Sequence, residues 1–240
     1  MLNATDAWYD ANQPHETARR SVFSHRVVRL ADAIFTLLKH EIASSESLRR
    51  RLQASHRVQP TFVEIEIASF LAHNGVEVRV IEESGVRGQD FDFLAVSDGM
   101  EVSVEVTTLP YRRLTVQTIL NKFKEKRDQV PPNRPAVLYM AIPSEWMTDS
   151  VAAFATFTEA ARNFMKGSRR YNAFTLVWEE VLPRGTGHIT RLVLRSCYHN
   201  NPRHPLSGKT FFDMKVIEPD KRMAISLLEF LEGVRKRRAA

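Results

Sequence analysis

The stretch DFDFLAVSDGMEVSVEVTT, residues 90–108, decides the fold. Asp98-Gly99 is a strong two-residue turn signal with alternating residues on both sides, so the segment predicts a β-hairpin. With the turn at those two residues, Ser97 faces Met100, Asp92 falls opposite Glu105, and Asp90 opposite Thr107. One face then carries Phe91, Phe93 and Ala95 against Val102, Val104 and Val106, a core face by its period of two. The other carries Asp90, Asp92, Leu94 and Val96 against Glu101, Ser103, Glu105 and Thr107. Directly opposed residues have β-carbons roughly 5 Å apart, where two carboxylates destabilise a sheet. A cation between Asp92 and Glu105 would relieve that repulsion.

Outward from the hairpin, residues 15–56 read as helical, with a break near Ala43-Ser44-Ser45. Pro60-Thr61 opens a further helix that Asn74-Gly75 stops. Residues 76–82 form a strand and 84–89 a loop leading into the hairpin. Residues 114–130 form an amphipathic helix stopped by Pro131-Pro132, and 136–143 a buried strand bounded by prolines. A helix over 149–166, strands over 172–183 and 188–200, and a final helix from about Lys221 complete the chain. The strands at 76–82, 91–96, 101–107 and 136–142 are expected in one sheet, with helices 61–73 and 115–130 packed on it. The chain divides into an N-terminal helical extension, 1–58, and an α/β domain, 59–240, as one compact unit.

Composition narrows the class. No run of about 18 apolar residues exists, so no membrane span is expected. The start MLNATDAWYD has neither the basic region nor the apolar core of a secretory signal. Cys197 is the single cysteine, which excludes an intramolecular disulfide and fits a reducing, cytoplasmic setting. As a lone small residue it is expected to be buried. The net charge of +6 favours a polyanionic partner. Arg112, Arg113, Lys122, Lys124, Lys126 and Arg127 follow the acidic hairpin, with Glu125 the one acid among them. Basic groups beside carboxylates suit an enzyme that uses a metal to act on phosphodiesters.

The order helix, strand, acidic hairpin, helix, strand resembles the core of the restriction-endonuclease-like proteins, the PD-(D/E)XK superfamily, over about residues 60–145. That resemblance implies a mixed central sheet flanked by helices, and an acid at the start of the second core strand, here Asp92. It implies an acid-x-Lys motif on the third strand, where this chain has Glu105-Val106-Thr107. Asp92 and Glu105 would chelate a divalent cation, Mg2+ or Mn2+. Glu64 matches the acid of the first helix and would be a third, outer ligand; its Glu-x-x-Ile-Ala spacing places it ahead of Glu66. Thr107 departs from the motif, which expects lysine there. Some relatives supply that lysine from the following helix, where Lys122, Lys126 and Gln129 share one face. Lys126, in a Lys-x-x-Gln pattern that resembles one seen on this helix in several branches, is the preferred substitute and Lys122 the reserve. Arg112, Arg113, Lys124 and Gln129 would contact nucleic acid, DNA taken first, and two copies of the chain would pair if both strands are cut.

The expected activity is therefore metal-dependent hydrolysis of nucleic-acid phosphodiesters. Its rival is a degenerate module that binds nucleic acid or protein without cutting, which Thr107 favours. A plain scaffold with an incidental acidic hairpin is the third reading. His199 and His204 lie in a proline-rich loop with no acidic partner nearby and read as surface histidines. Tyr171, Trp178 and Tyr198 read as core aromatics ahead of base-stacking ones.

Overall fold

The structure, a computed structural model, describes residues 16–206 apart from 41–44, 54–57, 83, 87, 110–113 and 185–186. The expected helix from Lys221 lies outside the described residues, as do Arg112 and Arg113. Three helices come first: α1 (Glu16–Lys39), α2 (Ser45–Gln53) and α3 (Val58–His73). Strands β1 (Glu77–Val80), β2 (Phe93–Ser97) and β3 (Met100–Thr108) follow, then α4 (Val116–Arg127) and β4 (Ala136–Ala141). A short 3-10 segment (Ser144–Asp149) leads to α5 (Ser150–Gly167), β5 (Ala173–Arg184) and β6 (Gly187–Tyr198).

Local chemistry sets most boundaries. Helix α3 starts at Val58, earlier than expected, because Pro60 then sits in the first turn, where its missing N–H is not needed. The helix ends where the Val76 amide donates to the Leu71 carbonyl (3.1 Å) and the Gly75 amide to that of Ala72 (3.0 Å). That closure puts Gly75 at φ +78°, which glycine adopts at little cost. Helix α4 opens on Thr115, whose hydroxyl accepts from the Thr118 amide at 3.1 Å.

All six strands form one sheet in sequence order, β1 to β6. The β1/β2, β2/β3 and β5/β6 pairs are antiparallel, whereas β3/β4 and β4/β5 are parallel. The four expected strands are there, and β5 and β6 extend the sheet beyond them. In the β2–β3 hairpin Ser97 pairs with Met100 and Phe93 with Val104, the expected frame. Asp98 (φ +52°) and Gly99 (φ +75°) make the turn, both left-handed as a type I′ turn requires. A slip of one residue would send the valines of β3 to the opposite face.

Helices cover both faces of the sheet. Phe93, Ala95, Val102, Val104 and Val106 pack with Ala33 and Leu37 of α1, Leu48 of α2 and Ile67 and Leu71 of α3. Leu94, Leu138, Met140 and Phe174 pack with Ile119 and Phe123 of α4 and Phe157 and Phe164 of α5. The mixed face of the hairpin is thus roofed by α4, and Ser103, Glu105 and Thr107 are buried. Phe91 departs from the expected alternation. β2 begins only at Phe93, so Phe91 joins Leu94 in the α4 side of the core.

Helix α1 lies in the same layer as α3 and is tied to the far strands by charge. Arg29 donates to Glu179 (2.9 Å) and the Thr190 hydroxyl (3.0 Å), and pairs with Glu66 of α3. Arg26 donates to Glu179 at 2.7 Å, and His25 Nδ1 accepts from the Thr190 amide at 3.1 Å. These groups are largely withdrawn from solvent, where breaking a pair from one side leaves an uncompensated charge. Arg29→Ala should therefore cost about 3–5 kcal/mol of folding free energy. Urea unfolding of wild type and variant measures it, and a loss below ~1 kcal/mol, the value of an exposed pair, would show that the cluster carries no such load.

Candidate functional site

The site lies in a notch in the sheet. β2 stops at Phe93, opposite Val104, whereas β3 runs on to Thr108 with only β4 beside it. The next β3 amide on the β2 side, that of Val106, has no strand to donate to. It donates instead to Asp92 Oδ2, at 2.7 Å. Asp92 thus ends the ladder with its own carboxylate, and its main-chain carbonyl still accepts from the Ile81 amide at 3.0 Å. The ladder ends at Phe93–Val104, one pair short of the expected Asp92–Glu105 pair, but Asp92 lies near enough for its charge to act on Glu105.

Glu105 is 1% exposed, at the middle of β3 beneath α4. Its Oε1 lies 2.6 Å from Lys126 Nζ, and its Oε2 is buried without a hydrogen-bond partner. Lys126 Nζ also donates to Gln129 Oε1 at 2.7 Å. The end of α4 is pinned from below, since the buried Tyr171 hydroxyl donates to the Lys126 carbonyl at 2.8 Å. Arg170 donates to the carbonyl of Arg127 at 2.9 Å. On the other side of the notch, Arg51 of α2 places Nη1 2.8 Å from Glu64 Oε2 and 3.4 Å from Asp92 Oδ1. Its Nη2 donates to the Ile81 carbonyl at 3.1 Å.

The structure brings Glu64, Asp92, Glu105 and Lys126 to one place. Glu66 is not among them; two positions along the helix turn it toward Arg29. Lys122 pairs with Glu125 at 2.7 Å and stands apart, and Lys124 is exposed. Gln129 holds Lys126 and is placed as a support for it. Asp90 leaves the group: it accepts from the Ser84 amide (2.6 Å) and hydroxyl (2.7 Å), which hold its carboxyl below the usual range. The sequence reading missed Arg51, whose run Arg49-Arg50-Arg51 gives no sign of which residue turns inward. It also missed Tyr171 as a hydrogen-bond donor, although it placed that ring in the core. Trp178 is buried as expected, whereas Tyr198 is 41% exposed. Cys197 is only half-buried, because β6 covers the sheet edge. His199 and His204 tie their loop down through the carbonyls of Ser168 (3.2 Å) and Pro132 (2.9 Å).

Electrostatics follow from that burial. Desolvation, then the nearby Glu64 charge, pushes the Asp92 carboxyl up to about 7. Desolvation, then Asp92, pushes Glu105 well above the carboxylate range. Burial alone would weaken the Lys126 ammonium, but Glu105 beside it outweighs that and holds it above the usual lysine range. Lys126 is therefore a fixed positive charge and a hydrogen-bond donor, not a base. Among the described residues no three acidic, histidine or cysteine side chains are grouped closely enough to hold a metal ion by themselves. A separate cleft of about 70 Å³, lined by Arg26, Arg29, Glu66, Trp178 and Glu179, lies at the carboxyl ends of β3 and β4, beside the middle of β5, and shares none of the notch residues.

Fold and site together define a mixed-sheet α/β protein with a buried acid–lysine cluster at an opening in the sheet. None of its described helices is long and apolar enough to cross a membrane. Compared with known proteins, the chain matches no family model, no curated protein and no solved structure.

The raised acids carry a pH signature. Asp92 binds a proton up to about pH 7 in the folded state, but only to about the ordinary aspartate value of 3.8 in the unfolded chain. Folding therefore takes up protons between those limits, and the metal-free protein loses stability as pH rises through that window. Asp92 and Glu105 titrate as a pair, so the slope belongs to both. Asp92→Asn should flatten it and raise stability above pH 7, read from urea midpoints in the presence of chelator. A wild-type midpoint that rises with pH across this window would contradict the buried-acid account.

Proposed function

We propose that the protein is a metal-dependent nuclease of the restriction-endonuclease-like kind, with Asp92, Glu105 and Lys126 at its centre. The observation that carries the reading is the meeting of those three side chains in one notch. A carboxylate from β3, another from the residue just before β2 and an ammonium from the last turn of α4 are brought together by the way α4 and the hairpin are set in the sheet. The element order α3, β1, β2, β3, α4, β4, with β4 parallel to β3, supports the same reading.

The donor set suits a divalent cation. Glu105 Oε2 is a buried oxygen with no hydrogen-bond partner among the described residues, and the Asp92 carboxylate is near enough to push the Glu105 carboxyl up. Asp92 and Glu105 would hold Mg2+ or Mn2+, with Glu64 as an outer ligand. Such an ion supplies an ionised water at neutral pH and offsets charge on the phosphate. Lys126, fixed by Glu105, Gln129 and the pinned helix end, places a positive charge where phosphoryl oxygens gain negative charge. Asp92, its Oδ2 committed to the Val106 amide, is oriented without cost at the moment of reaction. Lys124 on the exposed side of α4, together with Arg112 and Arg113, would meet the backbone of a nucleic acid, DNA in the first instance. Pairing of two copies would allow both strands to be cut.

A second reading has its own observation. Arg51 and Lys126 already answer the acidic charges, and Thr107 stands where the lysine of the motif is expected. Both features suit a fold that binds nucleic acid or a protein and no longer cuts.

Cleavage of DNA and RNA with Mg2+ or Mn2+, abolished by chelator, distinguishes the two. Lys126→Ala should lose roughly 100-fold or more in rate, as expected for removal of one preorganised donor. Glu105→Ala should lose cleavage while salt-sensitive binding persists, because removing an acid cannot weaken attraction to phosphate. Binding without cutting on both substrates would select the second reading, and cutting untouched by both substitutions would remove this site from the chemistry.

A further inference from the structure

We infer that Arg51 is the resident cation of the notch, and that a divalent ion takes its place on Glu64 and Asp92 only by displacing the guanidinium. The inference rests on the metal-dependent reading above, and it concerns how the chain controls access to that site.

A single nitrogen, Arg51 Nη1, faces both carboxylates, at 2.8 Å from Glu64 Oε2 and 3.4 Å from Asp92 Oδ1. Oδ1 is the freer of the two Asp92 oxygens, since Oδ2 already accepts from the Val106 amide at 2.7 Å. Divalent ions sit about 2.0–2.6 Å from their oxygen ligands. A metal bound by Asp92 Oδ1, with Glu64 Oε2 as its outer ligand, would compete with Nη1 for the same two oxygens, so the guanidinium and the ion cannot both hold them in full.

Charge points the same way. Glu64, Asp92 and Glu105 bring three negative groups when ionised, and Arg51 and Lys126 bring two positive ones. A divalent ion added beside Arg51 would set four positive charges against three negative. With Arg51 released the count is three against three. The Nη2 bond to the Ile81 carbonyl, at 3.1 Å, gives the guanidinium a neutral anchor at the rim of the notch. Leu48, one helical turn before Arg51 on α2, is buried in the core, so the helix remains seated while the side chain moves.

The device has a physical purpose. Without any metal, three acids in one opening would repel, and Arg51 lets the protein fold and persist in that state. The same contact raises the metal concentration at which the site fills.

Titration calorimetry with Mn2+ on wild type, Arg51→Gln and Asp92→Asn tests this. Arg51→Gln should bind on the order of tenfold more tightly than wild type, as for two ligands coupled negatively through one site. Arg51→Gln combined with Asp92→Asn should lose that gain. Should Arg51→Gln not fold, the wild type carries the test: saturating Mg2+ should shift the side-chain Nε–H resonance of Arg51 in NMR spectra and leave that of Arg29 in place. Mn2+ binding that needs Asp92 but is equal or weaker in Arg51→Gln would overturn the displacement and leave the nuclease reading standing. So would an Arg51 resonance unmoved by Mg2+ that binds through Asp92. Binding unaffected by Asp92→Asn, or no binding in wild type and Arg51→Gln alike, would overturn both.

Discussion

A carboxylate at the middle of a sheet, almost closed to water, must have its charge answered within a few ångströms. For Glu105 that answer is Lys126, and the surrounding structure is arranged to supply it. The lysine is the last residue but one of α4, so α4 must lie over β3 in one rotational setting. Ile119 and Phe123 fix that rotation from the core, the Tyr171 hydroxyl holds the helix end, and Gln129 closes on the amine. An ion pair this buried adds little net stability relative to an apolar pair of the same shape. Its cost is better explained by use of the charges than by folding alone.

The N-terminal helices do for the other side of the notch what α4 does for Glu105. α3 carries two glutamates two positions apart, which helical geometry sends in different directions. Glu64 turns to Arg51 of α2, and Glu66 to Arg29 of α1. Each acid of α3 is thus balanced by an arginine from earlier in the chain. The Arg29 cluster also reaches Glu179 and Thr190, so one set of charges fastens α1 to α3 and to strands at the far end of the sheet. The two clusters differ in what they leave open. Around Arg29 the hydrogen bonds close on one another, whereas at the notch Glu105 keeps one buried oxygen unpaired.

Much of the fold was legible from local pattern. The hairpin frame follows from Asp98-Gly99, because a two-residue turn with both residues left-handed leaves only one register. The stop at Gly75 was visible for the same kind of reason. Phe91 was misread because its alternation with Phe93 holds only inside a strand, and the strand begins after Asp92. The burial of Ser103, Glu105 and Thr107 was hidden as well: a mixed face reads the same whether water or a helix lies over it.

By itself, the sequence determined the hairpin with its turn, the helix that follows and the shared face of Lys122 and Lys126. These depend on residues a few positions apart, where turn geometry and helical period leave little freedom. Only the tertiary structure decided which lysine reaches Glu105, that Glu64 and Glu66 part company, and that Arg51 sits between Glu64 and Asp92. Those choices depend on how α2, α3 and α4 are set against the sheet. That setting comes from apolar packing across distant parts of the chain, and no spacing along the sequence records it.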